Sequence, residues 1–245
     1  MTLTPPAAPP VAAPAQPADR DWAPLLAGEA LVCGLLGRLL YEEPQAAWLT
    51  SLAADGVFDD IPFGASQPAV AAGLELLQAW SQQHRAGLST DAFAELRADY
   101  TRLFLGPGKL LAPPWESAQL TVERQLFQGH TLQVRQWYRR FGLEAARLYT
   151  EPDDHLGLEL AFLAHLAQRG LEALAQSDRP RLGETLTAQR DFVKAHPLRF
   201  VAQWGDQVEQ HARTDFYRGV GQVIRGVLTE FASIFNLPLP KEAAR

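Results

Sequence analysis

The sequence predicts an all-α protein, a single globular domain of about ten helices. Three observations carry that expectation. From Asp21 onward, apolar residues recur at three- and four-residue spacing almost everywhere, the period of a helix with one buried face. Alternating apolar and polar runs, the signature of half-buried strands, are almost absent. Capping residues, glycines and prolines punctuate the pattern at helical lengths. The domain is read over residues 21–245, long enough for one sizeable core. Residues 1–20, "MTLTPPAAPPVAAPAQPADR", are rich in Pro and Ala, cannot bury much surface and read as a disordered arm. No internal repeat is visible, which argues against a solenoid.

The elements follow in order. Leu31, Leu35, Leu36, Leu39 and Leu40 form one helical stripe, ended by Glu43-Pro44. "QAAWLTSLA" is a short second helix, and the Gly, Pro and Asp content of Asp55 to Pro68 marks a loop. A helix runs from Pro68 to Arg85 with Leu74, Leu77 and Trp80. Ser89-Thr90 caps the next, which puts Phe93, Leu96, Tyr100, Leu103 and Phe104 on one face and stops at "GPG". "KLLAPPWES" is an irregular crossing with two prolines. Leu120 to Phe127 and Leu132 to Phe141 are helical, parted near Gly129. Pro152 suits the first turn of the following helix and Gly170 its stop. "PRLGETLTAQRDFVKAHP" and "LRFVAQWGDQVEQHA" are two more helices. The last carries Val220, Ile224, Val227, Leu228, Phe231, Ile234 and Phe235, and "NLPLP" ends it.

Composition narrows the function. Lys and Arg number 22 against 28 Asp and Glu, a formal net charge of -6, so the chain lacks the basic balance that phosphate binding requires and no nucleic-acid partner is expected. A single cysteine, Cys33, excludes an internal disulfide framework and a Cys-based structural zinc site. Cys33 lies on an apolar stripe and reads as a small core residue. No run approaches the roughly 18 consecutive apolar residues of a membrane span, and the N-terminus lacks an export signal's basic and leucine-rich regions.

The cluster Asp153-Asp154-His155 admits three readings: a metal site, an acid-base pair, or the polar rim of a groove. As a metal site it would use Asp154, His155 and Glu159 in a helical metal-dependent hydrolase or oxidase. "HLGLE" is not the H-E-x-x-H arrangement, however, and no second carboxylate-histidine motif accompanies it. As an acid-base pair, Asp153 and Asp154 are about 100° apart on a helix and do not face one another. Aspartates in a first turn are stabilised by the helix dipole alone, but a histidine there is not, unless it stays neutral or pairs with a carboxylate. "GPGK", Gly106 to Lys109, fails as a phosphate loop because Leu103 and Leu110 stand where the first Gly and the Ser/Thr belong.

Three segments, "YTRLFLGPGKLLAPPWES", "LFQGHTLQVRQWYRRFGL" and "EPDDHLGLELAFLAHL", occur in this order with short spacers. Together they resemble the TorD/DmsD family of cytoplasmic redox-enzyme maturation chaperones. The match runs from about Tyr100 to Leu166, and the Trp115 region and "RQW" are closer to DmsD-like than to NarJ-like members. The resemblance implies an all-helical fold, no catalytic reaction and no cofactor. It implies as partner the catalytic subunit of a molybdopterin oxidoreductase, bound through its twin-arginine leader and held in the cytoplasm until cofactor insertion is finished. By position, the residues matching the family's leader-binding motif are Pro152, Asp154 and His155, with Gly106, Pro107 and Trp115 in the other motif. Two positions depart from the DmsD-like pattern: Gln119 replaces an aromatic residue and Thr121 an aspartate.

The chemistry fits that resemblance. A twin-arginine leader offers two guanidinium groups and a moderately apolar helical run, so its receptor needs a greasy groove with carboxylates at one end. Glu151, Asp153 and Asp154 would supply the acidic end, with Glu116 or Glu123 if the motifs converge. Trp115, Leu111, Phe104 and Trp137 would supply the apolar floor, Trp115 first because it sits in a Pro-rich loop. His155 would orient Asp154 or bond the leader, and could tune affinity with pH. A monomer, or a dimer swapped through the Asp55 to Pro68 loop, is compatible with the sequence.

Overall fold

The computed structural model describes residues 20–106, 108–120, 129–144 and 152–239. Among these, ten α-helices and no strand form one arrangement: α1 Trp22–Tyr41, α2 Ala46–Ala54, α3 Pro68–His84, α4 Thr90–Tyr100, α5 Glu116–Leu120, α6 Gly129–Arg140, α7 Leu156–Ala175, α8 Arg179–Ala195, α9 Val201–His211 and α10 Asp215–Ile234. The all-α expectation is met. The arm at residues 1–20 lies outside the described residues except for Arg20, as does most of the helix expected over Leu120 to Phe127.

Two helix crossings organise the core. In the first, α1 packs along α7, and the backbones touch where Gly37 meets Gly157. A Cβ on Gly37 would lie 2.8 Å from the Gly157 carbonyl oxygen, and one on Gly157 would lie 2.8 Å from the Gly37 oxygen. The second crossing repeats the device between α3 and α10, where Gly73 and Gly219 would be 2.7 and 2.8 Å from each other's carbonyls. Helix α8 packs against α7, and α9 against α10. Helix α1 is long and apolar enough to cross a membrane, but 50% of it is buried inside the protein, so core packing against α7 accounts for its composition.

Most of the predicted stripes face this core, with informative exceptions. Leu36, Leu39 and Leu40 are buried, whereas Leu31 is 63% exposed. It stands roughly 140° around the helix from Leu36, on the opposite face. Gly170 does not stop its helix. It is buried in mid-α7 where a Cβ would meet Leu26, and the helix runs on to Ala175. Pro152 is not in the first turn either, because α7 begins at Leu156 with His155 as its N-cap. The Asp55 to Pro68 loop buries Phe58, Ile61 and Phe63, and Gln78 donates to the Phe58 carbonyl at 3.1 Å. Cys33 is fully buried, as expected of a core residue, and burial and the nearby Glu29 carboxylate push its thiol well above the usual range.

The segment that leads to the candidate site is anchored from below. Helix α4 continues into a single wide turn, Thr101–Leu105, ended by Gly106 in the left-handed region at φ 82°, where a glycine avoids the Cβ clash. Trp204 Nε1 donates to Ala112 O at 3.3 Å, and Ala112 N to Leu103 O at 3.0 Å. Asp99, which the sequence reading passed over, is buried and accepts from Arg213 N at 2.9 Å and from Thr214 N and Oγ1, both at 2.8 Å. It thereby joins the end of α4 to the start of α10. The Pro-rich crossing is thus held through both backbone groups of Ala112 before it reaches Trp115.

Candidate functional site

The two motifs converge. Residues 114–116 and 154–156 run antiparallel as one isolated β-bridge between Trp115 and His155. Glu116 N donates to Asp154 O at 2.9 Å, and Leu156 N to Pro114 O at 2.8 Å. Above the bridge the Trp115 and His155 rings meet edge to face, 5.4 Å between centroids, and Tyr41 packs on His155 at 5.1 Å. Trp115 is half-buried, and its Nε1 has no partner among the described residues.

The carboxylates are placed differently from the expectation. Glu116, Asp153 and Asp154 are each 0% exposed, so they do not stand free at the end of a groove. Both Asp154 oxygens are engaged: Oδ2 accepts from Ser117 N at 2.7 Å and Oδ1 from Thr131 Oγ1 at 2.8 Å, which ties α5 and α6 to the α7 entry. Asp153 Oδ2 pairs with the Arg135 guanidinium at 2.6 Å. The Asp153 carbonyl accepts from Tyr138 OH at 3.1 Å. Burial, followed by Glu159 and the neighbouring acids, keeps that phenol well above its ordinary range and hence protonated. Glu116 reaches to the far side of the junction, with Oε2 2.8 Å from His196 Nδ1 and Oε1 3.2 Å from Arg199 Nη1 and 3.5 Å from His130 Nδ1.

His155 does not touch Asp154. Its Nδ1 accepts from Gly157 N at 3.0 Å, the capping bond of α7. Burial pushes its pKa down to about 3, which keeps the ring neutral and able to accept. The expected pH tuning through His155 is corrected accordingly: the ring carries no charge change near neutrality. The alternative ligand set of Asp154, His155 and Glu159 is corrected as well, since the ligand-type atoms that come within 4.8 Å of Glu159 as one group belong to Glu116 and His196. Glu159 itself is fully buried with neither carboxyl oxygen bonded. Burial, then the charges of Glu116 and Asp154, hold its pKa well above the usual carboxylate value.

The remaining site expectations fall in several places. Pro152 is buried at the head of the P-D-D-H segment. Gly106 lines a separate open groove of about 920 Å³ with Phe93, Arg97, Lys109 and Leu111. Phe104 is a core residue between Tyr100, Trp204 and Tyr217, and Trp137 packs edge-on against Phe192. Pro107, Thr121, Glu123 and Glu151 lie outside the described residues. Gln119 is buried and exchanges bonds with Gln207, 2.8 Å from Gln119 Nε2 to Gln207 Oε1. Thr131, Arg135, His196 and Arg199 were missed; only the four-residue spacing of Thr131 and Arg135 within "GHTLQVRQW" hinted at a polar face.

Comparison with known proteins decides the family. The family model described as nitrate reductase delta subunit matches residues 65–205. A Tat proofreading chaperone DmsD from Salmonella typhimurium is 30% identical over 210 residues, covering 86% of this chain and 92% of the relative. The chain belongs to the TorD/DmsD family. A probable Tat proofreading chaperone DmsD from Haemophilus influenzae is 25% identical over 206 residues, 84% of this chain and 91% of the relative. A chaperone protein TorD from Actinobacillus pleuropneumoniae is 31% identical over 137 residues, 56% of this chain and 61% of the relative. The DmsD relatives therefore align over more of this TorD/DmsD member than the TorD relative does.

Proposed function

We propose that this chain is a redox-enzyme maturation chaperone that acts in the cytoplasm on the catalytic subunit of a molybdopterin oxidoreductase. It binds the subunit's twin-arginine leader, holds the subunit while its cofactor is inserted, and releases it afterwards. The observation that carries the reading is the backbone bridge between Trp115 and His155, which joins two motifs 40 residues apart in sequence into one junction with the Trp115 ring at its edge. No covalent step is assigned to it.

The geometry suggests a division of labour. Pro152, Asp153, Asp154 and His155 are positioning residues that keep Trp115 and Glu116 in register. Trp115 offers a half-exposed ring to the leader's apolar run. Leu111, a few residues upstream, supplies further apolar surface beside Gly106, and Pro107 belongs to the site by its motif alone. The Arg199 side chain on Glu116 is 44% exposed, so a leader guanidinium reaches Glu116 by taking its place.

Calorimetric titration with a twin-arginine leader peptide tests this. Trp115→Ala is expected to weaken binding by roughly 30-fold, about 2 kcal/mol, the loss typical of a central aromatic anchor. A Lys-Lys control peptide should bind more weakly than the Arg-Arg peptide, because lysine cannot make the bidentate contact. Equal binding of the two peptides would remove guanidinium recognition from the reading.

A further inference from the structure

The side of Glu116 turned away from the leader surface holds polar groups that the chaperone reading does not use. Glu116, Glu159 and His196 each bring a ligand-type atom within 4.8 Å of the others, and all three residues are buried. Two observations independent of that proximity point to a missing occupant. Glu159, at 0% exposure, leaves both carboxyl oxygens unbonded, an arrangement that costs free energy unless something satisfies it. His130 Nδ1 is also buried and unbonded, 3.5 Å from Glu116 Oε1, while its ring reaches the surface with 26% of the side chain exposed.

Charge points the same way. The buried carboxyl groups of Glu116, Glu159, Asp153 and Asp154 face two guanidinium groups, Arg135 and Arg199. Among the described residues, Arg135 covers Asp153 and Arg199 covers Glu116, and Glu159 has no cationic partner. We propose that Glu116, Glu159 and His196, with His130 at the rim, bind one transition-metal dication of the zinc class. Mixed carboxylate and imidazole donors suit Zn²⁺, whose bonds to them are about 2.0–2.2 Å long. The ion takes the place of the 2.8 Å hydrogen bond between Glu116 Oε2 and His196 Nδ1, with release of its proton, and Glu159 draws in from within 4.8 Å. Glu116 binds through Oε2, leaving Oε1 with Arg199. The role is structural: the ion joins α5, α6, α7 and the end of α8, the elements that present Trp115.

The test uses the full-length chain, stripped with a chelator and titrated with Zn²⁺ against a chromophoric competitor, then with Co²⁺ to read visible absorption bands. One equivalent is expected to bind. Glu159→Gln, which keeps the shape and removes the charge, should weaken binding by about 100-fold or more, beyond the usual loss from a merely supporting residue, with unchanged helical circular dichroism. His130→Gln, at the rim, should weaken it by roughly 10-fold and shift the Co²⁺ bands. It serves as the second variant should Glu159→Gln fold poorly. Absence of stoichiometric binding, or equal binding and identical Co²⁺ spectra in the wild type and His130→Gln, would overturn the assignment. Leader affinity is not read in this experiment, so its failure and that of the chaperone reading are separate results.

Discussion

The glycine crossings and the Trp115–His155 junction are built on opposite principles. At the crossings, α1 meets α7 and α3 meets α10 with no side chain between the backbones, and most of the surrounding contacts are apolar. At the junction, a short backbone bridge is surrounded by polar side chains: Asp153 pairs with Arg135 and Glu116 with His196, while Asp154 accepts from Ser117 and Thr131 and His155 from Gly157. Close packing of apolar surface tolerates no added atom but is indifferent to partners. A buried polar network tolerates some change of shape but requires every partner. The crossings therefore set the stability of the fold, whereas the junction sets the conformation of one surface, and the two should fail in different ways.

The largest expected effect is at a crossing. Gly37→Leu forces a side chain into a space where even a Cβ would lie 2.8 Å from a backbone oxygen, so α1 and α7 must separate. A loss of about 3 kcal/mol or more is expected, at the upper end of overpacking costs, read as a shifted urea midpoint. A neutral result would mean that the helices do not touch there.

A smaller but more selective loss is expected at the junction. Asp154→Ala leaves Ser117 N and Thr131 Oγ1 without their acceptor, at a cost of about 2–3 kcal/mol for bonds to a charged group. Since Asp154 is interior, leader affinity and stability fall together, and the variant does not leave the fold intact as an exposed carboxylate would. Asp154→Asn should recover part of both, because its amide oxygen can still accept one of the bonds. An Asp154→Ala protein of wild-type stability would break the contrast drawn between the regions.

The smallest effect concerns a polar group inside the apolar region. Glu29 on α1 is 4% exposed and bonded to Gln189, and burial raises its pKa well above the ordinary 4.5. The folded state then holds the Glu29 proton more tightly than the unfolded chain does. That contribution to stability is fully present below about pH 4.5 and is lost as pH rises toward the folded value. Glu29→Gln keeps the shape and removes the ionisation, so its Tm should exceed that of the wild type at pH 8, with the difference vanishing at pH 4.5. A constant offset at both pH values would show that Glu29 ionisation is not what the substitution removes.

The fold was legible because helical periodicity is a local property. Ser89 caps α4 through a bond from Ala92 N, and Pro180 lies in the first turn of α8, both at positions where the sequence announces them. Gly170 and Pro152 misled for the complementary reason. A glycine needed for close approach to Leu26 looks like a stop signal, and a histidine used as an N-cap displaces the start from the proline to Leu156. At the site, the motifs named Trp115, Asp154 and His155, but nothing local named the partners of those residues. Thr131 lies 23 residues from Asp154 in the chain and His196 lies 80 from Glu116.

By itself the sequence determined the helices, the apolar faces and the two motifs, because each depends on residues within a few turns of one another. Only the tertiary structure decided that the carboxylates lie inside rather than at a groove's edge, that His155 is a neutral cap, and that Glu159 faces Glu116 and His196. Burial and pairing are set by which distant segments come together, and a side chain's charge, protonation and availability follow from that environment rather than from its place in the chain.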